Sequence, residues 1–280
     1  MPDHGLMGTL ARAVEQLGSA EMDVRLDGID LLARLADNSP APLEEAAEAL
    51  TAFVRRRAPA SRLDDRLIST APRPRPKAGP QADVQAALTA LGRMPRHCEH
   101  RGLNLSGLDL GRARLGGLNL SGAYLYLTEL CDADLRHTNL RNAYLAYADL
   151  SGARLQGAIL SRTILNRANL SGADLREADL HSTNLSSMIL REVNLGGADL
   201  VGTDLRNARL DDVDLLDADL TGARLQGTVM TGVRGLTLDD LQLVAWTDEH
   251  TQVQERPAEP GFDPGGRDQA GRSTRPPSSS

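Results

Sequence analysis

Leucine recurs at every fifth position through the middle of this chain. Every position divisible by five from Leu105 to Leu225 is leucine, and Met230 extends the series. In an α-helix, a step of five residues advances the side chain by about 140°, so these leucines would wind around the helix without forming a face. In a strand, an odd step sends successive leucines to opposite faces. The period therefore excludes burial of this pattern by an ordinary helix or strand.

A chain that turns a corner after every five residues can bury all of these leucines. Four such segments make a square coil of 20 residues, in which each leucine points to the axis and stacks on the leucine 20 positions away. The coils then stack at the β-sheet spacing of about 4.8 Å through backbone hydrogen bonds. The position two before each leucine supports this interpretation, because it holds small or apolar residues such as Ala133, Thr138 and Ala143.

The repeated phrases ADLRE, ANLSG and ADLTG closely resemble those of the pentapeptide-repeat proteins. The resemblance covers residues 103–232 and implies a mainly β fold, a right-handed quadrilateral β-helix. The stretches RAVEQLGSAEMDVRLDGIDLLARLADNSP and GLTLDDLQLVAWTDEHT resemble the helical leader and the C-terminal end of actinobacterial members. Many such relatives carry membrane helices before the leader, whereas this chain begins without them.

The flanks of the repeats predict how the rest of the chain is organised. Apolar residues at helical spacing predict helices on both sides of the coil, where they would cover its unpaired edges. Asp83 is the predicted N-cap of a short helix that ends before Gly92. The predicted regions are a helical N-terminal region (1–57), a Pro- and Arg-rich linker (58–82), a short helix with the N-terminal cap (83–102), the β-helix (103–234), a C-terminal capping helix (235–250) and a disordered tail (251–280).

Composition excludes several classes of protein. The net charge of −7 and the isoelectric point near 5.4 disfavour binding to nucleic acids or anionic membranes, which require a basic surface. Cys98 and Cys131 are too few for a disulfide framework. No apolar run is long enough for a membrane span, and the N-terminus lacks the pattern of a signal peptide. We expect a soluble, cytoplasmic protein.

All four tyrosines fall on one side of the predicted coil. An exposed apolar and aromatic patch marks interaction sites, and tyrosine is enriched in interface cores. The sequence thus predicts a non-enzymatic scaffold that binds a protein partner, which could be a second copy of the chain. The alternative is that the linker or the N-terminal helices cover this side. The candidate contact residues are Tyr124, Tyr126, Leu127, Tyr144, Tyr147 and Ile164.

A neighbouring side is acidic and provides the alternative function. Some pentapeptide-repeat proteins mimic DNA and inhibit topoisomerases such as gyrase by binding them, which the resemblance implies for this side. However, residues 103–232 carry 16 acidic and 12 basic residues, a net charge of −4. A duplex of the same length, about 31 Å, carries roughly 18 negative charges. Mimicry is therefore the second hypothesis, with Asp109, Glu129, Asp132, Asp149, Asp211 and Asp212 as its candidate residues.

A third side carries stacked carboxylates at Asp179, Asp199 and Asp219, and we expect some of their pKa values to rise through mutual repulsion. The sequence HCEH at His97–His100 has metal-ligand residue types, but its spacing is too tight for an ordinary zinc pair. No nucleophile elbow or phosphate-binding loop is present. We therefore predict no catalytic, metal-binding or cofactor-binding residues and no cofactor, and an enzyme of unknown type is the third hypothesis.

Overall fold

Four helices precede the five-residue repeats in the described part of the chain, and a short helix and a strand follow them. The computed structural model describes residues 4–38, 43–60, 78–95 and 103–255. The elements are α1 (His4–Leu17), α2 (Met22–Asn38), α3 (Leu43–Arg57), α4 (Ala82–Arg93), β1 (Ile189–Arg191), β2 (Arg209–Asp211), β3 (Val229–Val233), α5 (Leu238–Val244) and β4 (Gln252–Glu255). None of the described helices is long and apolar enough to cross a membrane.

The first four helices bury one apolar stripe each. In α1, Leu10, Ala13 and Leu17 recur at intervals of three and four residues and are all buried. Helix α2 contacts α1, α3 and α4, and Phe53 of α3 is among the largest fully buried side chains. These side chains form a single core cluster with the leucines of the repeats. The helical region is therefore packed onto the repeats.

The leucines of the five-residue period form the core of a β-helix solenoid. Every one from Leu105 to Leu225 has at most 3% of its surface exposed. Each coil has 20 residues, because backbone bridges join residues 20 positions apart in parallel, as between Tyr124 and Tyr144. Strands β1, β2, β3 and β4 continue this parallel pairing in one sheet. Each coil thus has four five-residue sides, as the period predicts.

The chain turns each corner with a left-handed residue two positions after the leucine. The backbone φ at this position lies between 54° and 70° throughout residues 107–232. Glycine adopts this conformation without strain, which explains its frequent occurrence there, as at Gly117. Polar residues such as Asn142 and Asp212 also occupy it, at a steric cost that the surrounding hydrogen-bonded coils must offset.

Threonine at the second inward position adds hydrogen bonds between coils. The Thr183 hydroxyl donates to the Leu160 carbonyl oxygen at 2.9 Å, although Thr183 is only 1% exposed. The same bond, always to the leucine 23 positions earlier, is made by Thr128, Thr138, Thr163, Thr203 and Thr228. These threonines therefore satisfy their buried hydroxyls without a neighbouring side chain.

The first coil would have an unpaired edge, but the helical region supplies partners for it. On the first side, Arg55 Nη1 donates to the Asn104 side-chain oxygen at 3.2 Å. On the second side, the Asp109 N–H donates to the Ala58 carbonyl at 2.9 Å. Ala58 belongs to the predicted linker, whose first residues thus pair with the coil. Residues 61–77 of that linker lie outside the described residues.

The other two sides of the first coil contact α4. The Gln85 side chain accepts the Arg114 N–H at 2.8 Å and donates to the Arg114 carbonyl at 2.7 Å, as a neighbouring strand would. The Asn119 N–H donates to the Gly92 carbonyl at 2.9 Å. A Cβ atom at Gly92 would lie only 2.6 Å from Leu118 Cβ, so glycine is required for this approach. All four sides of the edge are therefore hydrogen-bonded.

Asp83 is not the N-cap of α4, which corrects the prediction from sequence. The N-cap residue is Gln81, which makes no side-chain capping bond. The Asp83 side chain is fully buried, and its Oδ2 lies 2.7 Å from Arg25 Nε and 3.1 Å from Arg57 Nε. A buried carboxylate requires a charged or hydrogen-bonding partner, and arginines from α2 and α3 provide it here. Asp83 therefore joins three helices.

The last coil is followed by further pairing, which also corrects a prediction. Strand β4 lies within the predicted tail, yet it pairs with β3 in parallel, with Val253 opposite Met230. The pairing extends the backbone ladder and places Val253 against the apolar core. Helix α5 begins with a capping box between Thr237 and Asp240, and its Leu241 is fully buried. Residues 256–280 of the predicted tail lie outside the described residues.

Candidate protein-interaction surfaces

The side of the coil that contains Asn104, Tyr124, Tyr144 and Ile164 is called the tyrosine face. Tyr124 and Tyr144 occupy the same place on consecutive coils, and their rings are stacked with centroids 4.8 Å apart and planes 17° apart. The backbone bridge between these residues sets this spacing. The two side chains are 42% and 41% exposed, so the described helices do not cover them.

A second aromatic pair lies on the same two coils. The rings of Tyr126 and Tyr147 meet edge to face, with centroids 5.6 Å apart and an angle of 72°. The Arg167 guanidinium lies 5.6 Å from the centroid of the Tyr147 ring, within the range of a cation–π contact. Ile164, on the next coil, is 39% exposed. The four tyrosines and Ile164 therefore come together, and Arg167 joins them as a residue that sequence reasoning missed.

Leu127 does not belong to this exposed patch, which corrects the prediction from sequence. Its side chain is only 4% exposed, and it is the one buried residue among the left-handed corner positions 107–227. Burying an aliphatic side chain of this size is favourable by roughly 1.5–3 kcal/mol. Exposing Leu127 so that it could contact a partner would therefore cost free energy. The patch thus consists of four tyrosines, Ile164 and Arg167.

The neighbouring side, called the acidic face, carries a ladder of carboxylates on its first three coils. Asp109, Glu129 and Asp149 pair in sequence through backbone bridges. Cys131 lies beside them and has its pKa raised to about 11, first because it is buried and then because of the negative charge of Asp149 and its neighbours. The local potential is therefore negative, as the sequence predicts.

The structure places the other acidic-face candidates less favourably for binding a partner. Asp149 is only 6% exposed, and its Oδ1 accepts hydrogen bonds from the Ser151 N–H and the Asn169 side chain. Asp132 Oδ2 lies 3.5 Å from Arg112 Nε. Asp211 lies within 4 Å of two arginines, Arg191 and Arg209, whereas Asp212 is exposed. Arginines and burial therefore reduce the accessible charge of the acidic face.

The stacked aspartates of the third side, Asp179, Asp199 and Asp219, accept local hydrogen bonds. Each accepts the backbone N–H two residues later, as Asp179 does from His181 and Asp199 from Val201. The pKa of Asp219 is lowered rather than raised, because the hydroxyl and the N–H of Thr221 both donate to it. Local hydrogen bonds to the ionised form thus outweigh repulsion between coils at Asp219.

A groove between α2, α4 and the first coil has a volume of about 910 Å³. It combines apolar side chains such as Ile29 and Met94 with Arg34, Arg93 and Arg114. Within the described ranges, no group of three or more His, Cys, Asp and Glu side chains is arranged to hold a metal ion. His97–His100 lie outside the described residues.

The sequence model of the family described as Pentapeptide repeats matches this chain with eight copies. The matched residues are 104–142, 125–162, 160–187 and 189–227. They coincide with the leucine column and the bridged coils. A search of the curated proteins finds no match.

Several solved structures are similar to this chain. A trypsin-treated variant of QnrB1, described as a plasmid-mediated fluoroquinolone resistance protein, is 21% identical, with a TM-score of 0.44 over 53% of this chain and 77% of that chain. HetL, involved in heterocyst differentiation regulation in the cyanobacterium Nostoc, is 26% identical, with a TM-score of 0.27 over 55% and 83%. Rfr23 from the cyanobacterium Cyanothece is 28% identical, with a TM-score of 0.23 over 44% and 64%.

Proposed function

Because the chain belongs to the pentapeptide-repeat proteins, its outward side chains determine what it binds, and we propose that it is a non-enzymatic scaffold for protein–protein interaction. The contact surface is the exposed patch of the tyrosine face: Tyr124, Tyr126, Tyr144, Tyr147, Ile164 and Arg167. We further propose a right-handed coil, a C-terminal cap formed by α5 and a cytoplasmic location.

The observation that carries this proposal is the pairing of the tyrosine rings at the surface. Tyr124, Tyr126 and Tyr144 each expose about two fifths of their side chains on two consecutive coils. Tyrosine combines a large apolar surface with a hydroxyl that can form hydrogen bonds, which suits contacts with another protein. Tyrosine also loses little conformational entropy on binding, because it has only two side-chain torsions.

The patch is held on a rigid backbone. The bridge between Tyr124 and Tyr144 continues to Ile164, and the buried Leu125, Leu145 and Leu165 lie behind it. Ordering a loop on binding costs entropy and reduces affinity, and binding to this surface does not require it. The Tyr147 ring is further restrained between Tyr126 and Arg167.

The alternative is a topoisomerase-binding inhibitor that uses the acidic face. It has less support, because Asp149 is buried and because Arg112, Arg191 and Arg209 lie close to carboxylates of this face. A mimic of DNA requires a continuous row of accessible negative charges. A gyrase supercoiling assay with added protein separates the two functions, and we expect no inhibition.

The proposal is tested by replacing the four tyrosines with serine in the full-length chain. We expect the variant to fold, because the rings lie outside the leucine column. It should no longer bind the proteins that the wild type captures from a lysate of its own organism. If the partner is a second copy, light scattering will show a lower mass than for the wild type.

The matched control removes exposed apolar residues elsewhere on the coil. Ile189 and Leu216 are 57% and 56% exposed and lie outside the patch. The double variant Ile189→Ser and Leu216→Ser should capture the same proteins as the wild type. Equal capture and equal mass for the tyrosine variant and the wild type would contradict the proposed contact surface.

A further inference from the structure

The tyrosine face carries no aspartate or glutamate on its first five coils. Over the same five coils, each of the other three sides carries carboxylates, among them Asp134, Asp149 and Asp179. The chain as a whole has a net charge of −7, so this side is an exception. Its five segments are LNLSG (103–107), AYLYL (123–127), AYLAY (143–147), TILNR (163–167) and TNLSS (183–187).

Arginines border the tyrosine patch. Arg141 and Arg162 lie in the turns where the chain enters this side, and Arg167 lies in the turn where it leaves; all three are exposed. Arg141 has one distant partner, with Nη2 3.8 Å from Asp179 Oδ2. In the described part of the chain, no carboxylate forms an ion pair with Arg162 or Arg167, in contrast to arginines such as Arg136, Arg176 and Arg206 on the coil.

The patch thus has an aromatic centre and a cationic border. Protein interfaces commonly bury an apolar core and surround it with a polar rim, and complementary charge at the rim selects the partner. Arginine binds carboxylates with two parallel hydrogen bonds, and a guanidinium that lies over a ring keeps its N–H groups available in its plane. The chemistry that complements this surface is therefore negative charge next to apolar side chains.

We propose that the tyrosine face binds an acidic protein segment that carries apolar anchor residues. The anchors pack on the rings of Tyr124, Tyr126 and Tyr144, and the carboxylates pair with Arg141, Arg162 and Arg167. This inference rests on the proposed function, since it specifies the chemistry of the partner for the same surface.

Single-stranded nucleic acid also combines negative charge with flat apolar groups, and it binds aromatic platforms. The geometry favours a peptide. Tyr124 and Tyr144 already stack on each other at 4.8 Å, which leaves no space for a base between them. A strand that extended over the adjoining acidic face would meet Asp109 and Glu129, which would repel its phosphates.

A random peptide library displayed on phage tests this without knowledge of the natural partner. The library is selected on the full-length protein and counter-selected on the four-tyrosine serine variant, so that only patch-dependent binders remain. We expect these binders to be enriched in Asp and Glu beside Leu, Phe or Tyr.

The outcomes distinguish the inference from the proposed function. Patch-dependent binders with no excess of acidic residues would overturn the inference and leave the scaffold function standing. A selection that yields no patch-dependent binder would overturn both. Patch-dependent binding of oligothymidylate that is tighter than that of any selected peptide would also overturn the inference.

Arginine variants test the role of charge directly. With a selected acidic peptide as the probe, the triple variant Arg141→Gln, Arg162→Gln and Arg167→Gln should bind at least tenfold more weakly at 50 mM NaCl. The difference should shrink at 500 mM NaCl, because salt screens exposed charges. The control replaces three arginines of the opposite side, Arg136, Arg154 and Arg176, with Gln and should bind normally. Equal loss in both variants would contradict a local role for the bordering arginines.

Discussion

The Asp83 carboxylate and the Arg25 guanidinium lie 2.7 Å apart, and both side chains are almost completely buried. Removing one partner of a buried pair leaves the other charge without compensation, at a cost of about 3–5 kcal/mol. We therefore predict that Asp83→Ala destabilises the packing of α2, α3 and α4 by about this amount. Urea denaturation followed by circular dichroism measures the loss.

Two further variants check that the cause is the isolated buried charge. The double variant Arg25→Met and Asp83→Leu should recover most of the stability, since apolar residues of similar volume often replace a buried ion pair without loss. Asp30→Ala, which breaks the exposed pair with Arg34 on α2, should cost less than about 1 kcal/mol. A mild effect of Asp83→Ala would show that the buried pair is not critical.

A polar or small residue in the leucine column should be poorly tolerated. Leu165 is fully buried in the middle of the column, and we predict that Leu165→Ala costs about 2–5 kcal/mol through lost burial and a cavity. Leu165→Asn should cost more, because its amide would be buried. The adjacent, exposed Ile164 is the matched control, and Ile164→Ala should cost less than about 1 kcal/mol. Thermal unfolding compares the three, and similar losses at both positions would contradict the inward column.

The buried threonines should contribute through their hydroxyls as well as through their size. Thr183→Val keeps the shape of the side chain but removes the donor to the Leu160 carbonyl. We predict a loss of about 0.5–1.5 kcal/mol, measured by urea denaturation. Thr183→Ser keeps the hydroxyl and serves as the comparison. A stabilised valine variant would show that burial of the methyl group outweighs the hydrogen bond.

The Asp204–Arg206 contact predicts a dependence of stability on pH. Arg206 donates to Asp204 and holds its pKa below the usual range, so the ionised carboxylate is favoured in the folded state. A depressed folded pKa adds stability above the unfolded value near 4, and this stability is lost as the pH falls through the folded pKa.

The test compares the wild type with Asp204→Asn. This variant keeps a side-chain oxygen that can accept the backbone N–H of Arg206. Urea midpoints should be higher for the wild type at pH 7, and the difference should disappear as the pH falls from about 4 to 2. A difference that is constant over this range would show that ionisation of Asp204 does not contribute.

The features that the sequence predicts are those set by the repeat period or by residues close to each other in the sequence. The leucine column follows from chain geometry alone, because every coil repeats the same environment. The tyrosine patch follows from the 20-residue length of each coil, because residues 20 positions apart, such as Tyr124 and Tyr144, lie on one side. The capping box of Thr237 and Asp240 spans only three residues and was equally accessible from sequence.

The features that sequence could not predict depend on distant contacts or on atomic detail. The sequence around Asp83 predicts a local cap, but its partner Arg25 lies 58 positions away. The repeat period predicts an exposed Leu127, because the equivalent position is not buried elsewhere in the coil. Composition predicts that Val253 lies in a tail, because it does not reveal that a late segment can extend the parallel ladder. The hydroxyl bonds of the threonines require knowledge of which carbonyl lies below each one.

Each side of the first coil is contacted by a different residue of the helical region: Arg55, Ala58, Gln85 or Gly92. The length of the rod can therefore change only in whole turns. An insertion of 20 residues would keep every later side chain above its former neighbours and move the two ends farther apart. An insertion of five between Leu127 and Ala143 would rotate everything beyond it by a quarter turn and divide the aromatic patch between two directions.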